Sequence, residues 1–144
     1  MTAAPLHIAA VGLGNVRFFR SPLAGPQQPW FVIDDLFRAG SIDRKLRRAF
    51  FSGLQRDHGA EILTIETSSG PINIGPHWMA QGLISCWIEW GRVNRDFELA
   101  YTVGQAGAMA ALTAHMSDME GMRYAMQAYR NSNGIDEPKT GGVA

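Results

Sequence analysis

Between residues 61 and 91 the hydrophobic period of the chain changes once, and that change constrains the fold more than any other feature. In "EILTIETSSGPINIG" (61–75), Ile62, Thr64 and Glu66 alternate with Leu63, Ile65 and Thr67, and Ile72 and Ile74 resume the alternation after "SSGP". Successive side chains of a strand point to opposite faces, so the segment reads as strand, turn, strand. Pro76 then suits the first turn of a helix, and "HWMAQGLISCWIEW" continues to Gly91. That helix is apolar around most of its circumference, as expected of one central to the core.

The remaining segments fit around this pair. Leu6, Ile8 and Ala10 alternate in a first strand (6–13), "GLGN" turns the chain, and "VRFFRS" (16–21) is a second strand. "PLAGPQQP" (22–29), with three prolines and a glycine, is a loop, and the bulky "WFVI" (30–33) is a third strand, so 16–33 reads as a hairpin with a long loop and no tight two-residue turn. Asp34 or Asp35 is placed to cap a short helix, "DLFRA", which Gly40 ends, and Ser41 is placed to cap the next, "IDRKLRRAFFSGL". A helix from about Asp96 to Met116 has a narrow face of Gly104, Gly107, Ala108 and Ala111 that suits close approach of a neighbouring backbone. "SDME" (117–120) has capping-box spacing and opens a last helix to about Arg130. The order predicts a single α+β domain over 1–130, with two β-hairpins and about five helices, and a polar, disordered tail over 131–144.

Composition narrows the function. A chain of 144 residues that is 46% hydrophobic and 18% charged suits one soluble globular domain. The start carries no charged, apolar leader, and no window approaches the roughly 18 apolar residues of a membrane helix. Cys86 is the only cysteine, so neither an internal disulfide nor a Cys-rich zinc site is expected, and a cytoplasmic protein is the simplest reading. Net charge is zero but uneven. Residues 1–60 hold eight Lys/Arg against four Asp/Glu, and residues 61–144 hold five against nine. Such asymmetry between halves hints at an interaction surface.

Catalytic patterns are missing. "GLGNVR" lacks the third glycine of a dinucleotide fingerprint and precedes a strand, where a phosphate-binding loop needs a helix N-terminus, so it reads as a turn. His7, His58, His77 and His115 are not paired at helical spacing, and His77 reads as structural or exposed. Neither a G-x-S-x-G elbow nor an H-E-x-x-H pair is present, and the adjacent Asp34 and Asp35 cannot share one face. No catalytic residue, metal or cofactor is therefore assigned.

The basic helix is different. On a helical wheel Ile42, Leu46, Ala49, Phe50 and Gly53 lie on one side, Arg44, Arg47 and Arg48 on the other, and Lys45 on a flank. Arg38 and Arg56 bring the basic count in 38–56 to six, against Asp43 alone. With the short helix before it, the segment is loosely helix-turn-helix in outline. Phe51 projects to the basic side. Arginines on a rigid helix suit phosphates and guanine edges. A solvated amphipathic helix and a face for an acidic protein fit the same pattern.

The quoted residues also carry a resemblance. "VRFFRSPLAGPQQPWFVIDDLFRA", through Val16, Arg17, Pro29, Trp30, Phe31, Val32 and Asp34, resembles the opening of the Bro-N domain of phage antirepressors and baculovirus repeated-ORF proteins. "TSSGPINIGPHWMAQGLISCWIEWG" is similar to that family's second hairpin and following helix. The resemblance implies a phage- or prophage-linked DNA-binding or antirepressor module in transcription regulation, without enzymatic residues. The expected partner is double-stranded DNA or a regulatory protein, met by Arg44, Lys45, Arg47 and Arg48, with Arg38, Arg17 and Arg20 extending the patch. Two alternatives stand beside it. One is a protein-binding or homodimerising module using the Ala/Gly helix or Met116, Met119, Met122 and Met126. The other is an enzyme or small-molecule binder around Trp78, Trp87 and Trp90, residues that more often pack in a core.

Overall fold

A computed structural model describes residues 2–134. Five strands, β1 (His7–Val11), β2 (Gly14–Phe19), β3 (Trp30–Val32), β4 (Leu63–Thr67) and β5 (Gly70–Gly75), form one antiparallel sheet in the order β1-β2-β3-β5-β4. The helices are α1 (Ile33–Ala39), α2 (Arg44–His58), α3 (His77–Glu89), α4 (Arg95–Leu112) and α5 (Asp118–Ser132). The class is α+β, as the order of periodicities predicts.

β2 and β3 pair across the long loop as the expected hairpin, and two further connections, β1 to β2 and β4 to β5, turn in two residues. Gly12 supplies the left-handed φ of +55° in the first, and Leu13 N–H donates to the carbonyl of Ala39 at 3.0 Å, so the turn rests on the end of α1. A Cβ on Gly12 would lie 2.5 Å from that same carbonyl oxygen. In the second, the Thr67 hydroxyl donates to the Gly70 carbonyl at 2.7 Å. β3 joins the two pairs at the centre of the sheet, with Phe31 opposite Phe18 on one side and Gly75 on the other. It has only three residues, all buried, because Ile33 already belongs to α1.

Alternate residues of the sheet feed two apolar clusters. Val16, Phe18 and Phe31 pack with Leu36 and Phe37 of α1, Met79, Leu83 and Trp87 of α3, and Tyr101 and Ala108 of α4. Phe19, Trp30, Val32 and Ile74 form the second cluster with Leu63, Ile65 and Ile72. The chain leading into β1 reaches the far edge of the sheet, where Ala3 N–H donates to the Glu66 carbonyl at 2.8 Å and bridges Thr67. The sheet is therefore curled around this second cluster.

α4 lies on β1 and β2, and its small residues explain how closely. A Cβ on Gly104 would sit 2.6 Å from Ala9 Cβ and 3.1 Å from the Phe18 ring, and one on Gly107 would sit 2.6 Å from His7 Nε2. Ala108 is buried, whereas Ala111 is exposed and plays no part in the contact. Gly104→Ala is therefore expected to destabilise the domain by about 1–3 kcal/mol through overpacking, despite alanine's better helix propensity. Gly82→Ala on α3, where nothing lies within 4 Å, is expected to stabilise it by up to about 1 kcal/mol. Urea unfolding of both variants checks the pair, and the opposite signs are the point of the comparison.

Several local expectations are corrected. Val32, not an aspartate, occupies the N-cap of α1, and Asp34 and Asp35 stand in its first turn. Gly40 has φ −81°, so it is no left-handed stop; Ser41 takes the positive φ of 52° and caps nothing. Asp43 caps α2 instead, accepting the Leu46 N–H at 2.9 Å. The capping box of Ser117 and Glu120 is present. α5 continues past Arg130, and Asn131 and Asn133 donate to Pro26 and Gln28 of the long loop while Ser132 accepts the Gln28 N–H. Residues 131–133 are thus bonded structure rather than tail, Gly134 follows them with a positive φ of 67°, and 135–144 lie outside the described residues.

Candidate nucleic-acid interface

α2 is held to the domain by one side only. Leu46, Phe50, Phe51 and Leu54 pack against the main core, yet none of its fifteen residues is fully buried. Phe50 is the principal anchor, its ring 6.3 Å from Phe37, 6.0 Å from Trp87 and 5.5 Å from Trp90. Phe51, expected on the basic side, is half-buried against the core and not offered for stacking.

The helix follows α1 through a tight four-residue link. Ser41 N–H donates to the Arg38 carbonyl at 3.0 Å and Ile42 N–H to the Phe37 carbonyl at 3.1 Å, while Ile42 is buried. The link fixes the angle between the two helices and leaves the first turns of α2 facing outward.

The seven expected contact residues divide into three groups. Arg44, Lys45 and Arg48 are exposed on the first turns of α2, and no ion pair engages them among the described residues. Arg38, in the last turn of α1, is likewise exposed. Arg47 does not join them. It is half-buried, one guanidinium nitrogen donates to the Ile42 carbonyl at 3.3 Å, and its Nε is buried without a partner.

Arg17 is taken out of the patch by a carboxylate eighteen residues away. Its Nε donates to Asp35 Oδ2 at 2.8 Å, a second guanidinium nitrogen to Oδ1 at 3.0 Å, and its backbone N–H to Oδ2 at 3.0 Å. The hydrogen bond to Asp35 raises the Arg17 pKa further, against the opposing effect of burial. Arg20 is exposed just beyond β2, and no hydrogen bond or ion pair among the described residues joins it to α2. Arg56 is exposed but paired with Asp57 at 3.2 Å.

Position along the helix matters as much as exposure. No acidic residue stands in the first turn of α2, where Arg44 and Lys45 add their charges to the positive end of the helix dipole. Cations there disfavour the isolated helix by roughly 0.3–1 kcal/mol each. Asp43 at the N-cap offsets part of that cost, and the outward-facing side chains of Arg44, Lys45 and Arg48 are what an anion would meet.

Beside this surface lies an apolar groove of about 360 Å³, walled by Leu46, Phe50, Gly53, His58 and Trp90. Trp90 is 57% exposed. Of the three tryptophans expected in the core, only Trp87 is buried there; Trp78 is half-buried against His58, and Trp90 is on the surface. The signal available was its place after the last turn of α3 and directly before Gly91, where φ is +69°.

His77 serves the fold. Its ring stacks on Tyr101 at 5.6 Å and 7°, with Nδ1 3.2 Å from the Tyr101 hydroxyl. Burial lowers its pKa to about 4 and raises that of Tyr101. A histidine that is neutral when folded and has an ordinary pKa of 6.5 when unfolded binds more protons unfolded. Stability is then complete above pH 6.5, falls as pH drops toward 4, and levels off below. Two and a half units correspond to about 3 kcal/mol. His77→Gln is expected to flatten stability between pH 4 and 6.5, read by urea titration at several pH values.

Among the described residues no three His, Cys, Asp or Glu side chains converge as metal ligands, and no helix is long and apolar enough to cross a membrane. No family model matches the chain, and neither curated proteins nor solved structures include a match.

Proposed function

We propose that this domain is a regulatory nucleic-acid-binding protein that meets double-stranded DNA through the N-terminal half of α2. The observation that carries the reading is the cluster of Arg44, Lys45 and Arg48, exposed, unpaired among the described residues and placed at the positive end of a helix. Phosphate oxygens complement that cluster; the attraction rests on the three side chains, since the Asp43 carboxylate already accepts the Leu46 N–H at the helix start.

The α1–link–α2 geometry supports the same reading. In a helix-turn-helix arrangement the first residues of the second helix approach base edges while the first helix crosses the backbone. Here Arg44, Lys45 and Arg48 hold that leading position, and Arg38 lies on the preceding helix. The resemblance of residues 16–34 to the Bro-N opening adds phage-type transcription regulation to the proposal. Its Arg17 is a structural partner of Asp35, so it carries no DNA contact. The phosphate-binding set is reduced to Arg44, Lys45, Arg48 and Arg38.

Fluorescence anisotropy with a mixed-sequence duplex tests the proposal. Binding at low salt that falls steeply as salt is added is expected. Binding that is absent at low salt makes the exposed cations a solvated face.

A further inference from the structure

The last helix carries an apolar face that the domain does not cover. Met119, Met122, Met126 and Tyr129 are 54%, 52%, 62% and 53% exposed. Their spacing of three, four and three residues places them in one stripe, as the a and d positions of two heptads. Met116, which precedes the helix and is half-buried, is not part of it. α5 rests on the body by another side, where Ala128 is its only fully buried residue. At 100° per residue the stripe is centred roughly 140° from Ala128, so the body does not obstruct it. Four large apolar side chains in line, each more than half exposed, exceed the scattered surface hydrophobes of a monomer.

The flanks of the stripe identify its occupant. Asp118 lies on one flank at a g position and Arg123 on the other at an e position; both are exposed, and neither has an ion-pair partner among the described residues. In a parallel pair of helices a g residue faces the e residue five positions later on the partner. Asp118 and Arg123 are five apart, so two copies related by a two-fold axis would pair Asp118 with Arg123 on both sides of the seam. An antiparallel pair would set the Arg123 flank against the partner's e flank, which holds no acidic residue. A lipid surface fits less well, because Asp118 and Glu120 offset the cationic excess that membrane-lying helices carry.

We infer that α5 is a homodimerisation helix, in which the Met119, Met122, Met126 and Tyr129 stripe packs in parallel on that of a second copy, with Asp118 meeting the partner's Arg123. Methionine suits such a seam because its unbranched, polarizable side chain adapts to a facing surface. Two heptads make a small interface, below the standard size, so dissociation on the order of 10 µM is expected.

Sedimentation velocity on the full chain without nucleic acid, from about 1 to about 200 µM, reads the result directly. The wild type is expected to shift from monomer to dimer across that range. Met122→Glu with Met126→Glu is expected to remain monomeric throughout, with an unchanged circular-dichroism spectrum, since both side chains are already exposed. Asp118→Arg is expected to weaken the dimer about ten-fold, and adding Arg123→Asp to restore it. A wild type that stays monomeric at the highest concentration overturns the inference. So does a dimer that the double glutamate variant leaves intact. Neither outcome bears on DNA binding by α2, which is measured separately.

Discussion

Arg17→Met is expected to cost the domain about 3 kcal/mol and to lower its melting temperature by roughly 10 °C. Asp35 is 6% exposed and accepts three hydrogen bonds, all from Arg17. Methionine keeps much of the packing of the arginine stem but leaves the carboxylate with one backbone N–H. A buried charge stripped of its partner loses several kcal/mol, because water no longer solvates it and nothing replaces the lost attraction. The Arg17 side chain is itself 26% exposed, so some water reaches the site and the cost falls at the lower end of the buried-pair range. Arg17→Met combined with Asp35→Leu is expected to recover much of the loss, since no charge is then left behind. Urea unfolding of the three proteins checks this, and a single variant within about 0.5 kcal/mol of wild type removes the pair from any structural role.

Arg44→Ala with Lys45→Ala and Arg48→Ala is expected to lower affinity for duplex DNA by about 10²- to 10³-fold at low salt without lowering stability. The stability half follows from exposure and position: alanine is at least as good a helix former, and removing cations from the first turn relieves their conflict with the helix dipole. The affinity half follows from three phosphate contacts, each releasing counterions. Arg56→Ala is the informative comparison. Its guanidinium is already paired with Asp57, and a loss below about three-fold is expected. A triple variant that unfolds, or one that binds as tightly as wild type, contradicts the assignment.

The sequence carried the elements well and the side-chain partnerships poorly. Alternation in 61–75, the apolar run after it and the Ser117–Glu120 box are local patterns, and each matches a structural element, although Pro76 stands at the N-cap of α3 and not in its first turn. The small-residue face of α4 was also legible, because glycine at helical spacing has few other uses; Gly104 and Gly107 do meet β1 and β2 there. Arg17 was not legible. Its charge adds to the basic half of the chain, and only the fold brings Asp35 beneath it. Arg47 was misplaced for a smaller reason: the helix begins at Arg44 and is held around Phe50, and that rotation turns Arg47 toward Ile42. Trp90 and Phe51 exchanged their expected places, Trp90 to the surface and Phe51 toward the core, since helical periodicity gives a face but not what covers it. The stripe on α5 was visible as methionines, while its extension through Tyr129 needed the exposure of each side chain.

The most direct test of the account is the salt dependence of duplex binding for wild type and the Arg44, Lys45 and Arg48 triple-alanine variant, measured on the same DNA. If these three side chains neutralise phosphates, the slope of log K against log salt is shallower in the variant by about 2.7. Equal slopes for the two proteins would show that α2 does not contact the DNA backbone and would contradict the proposed interface.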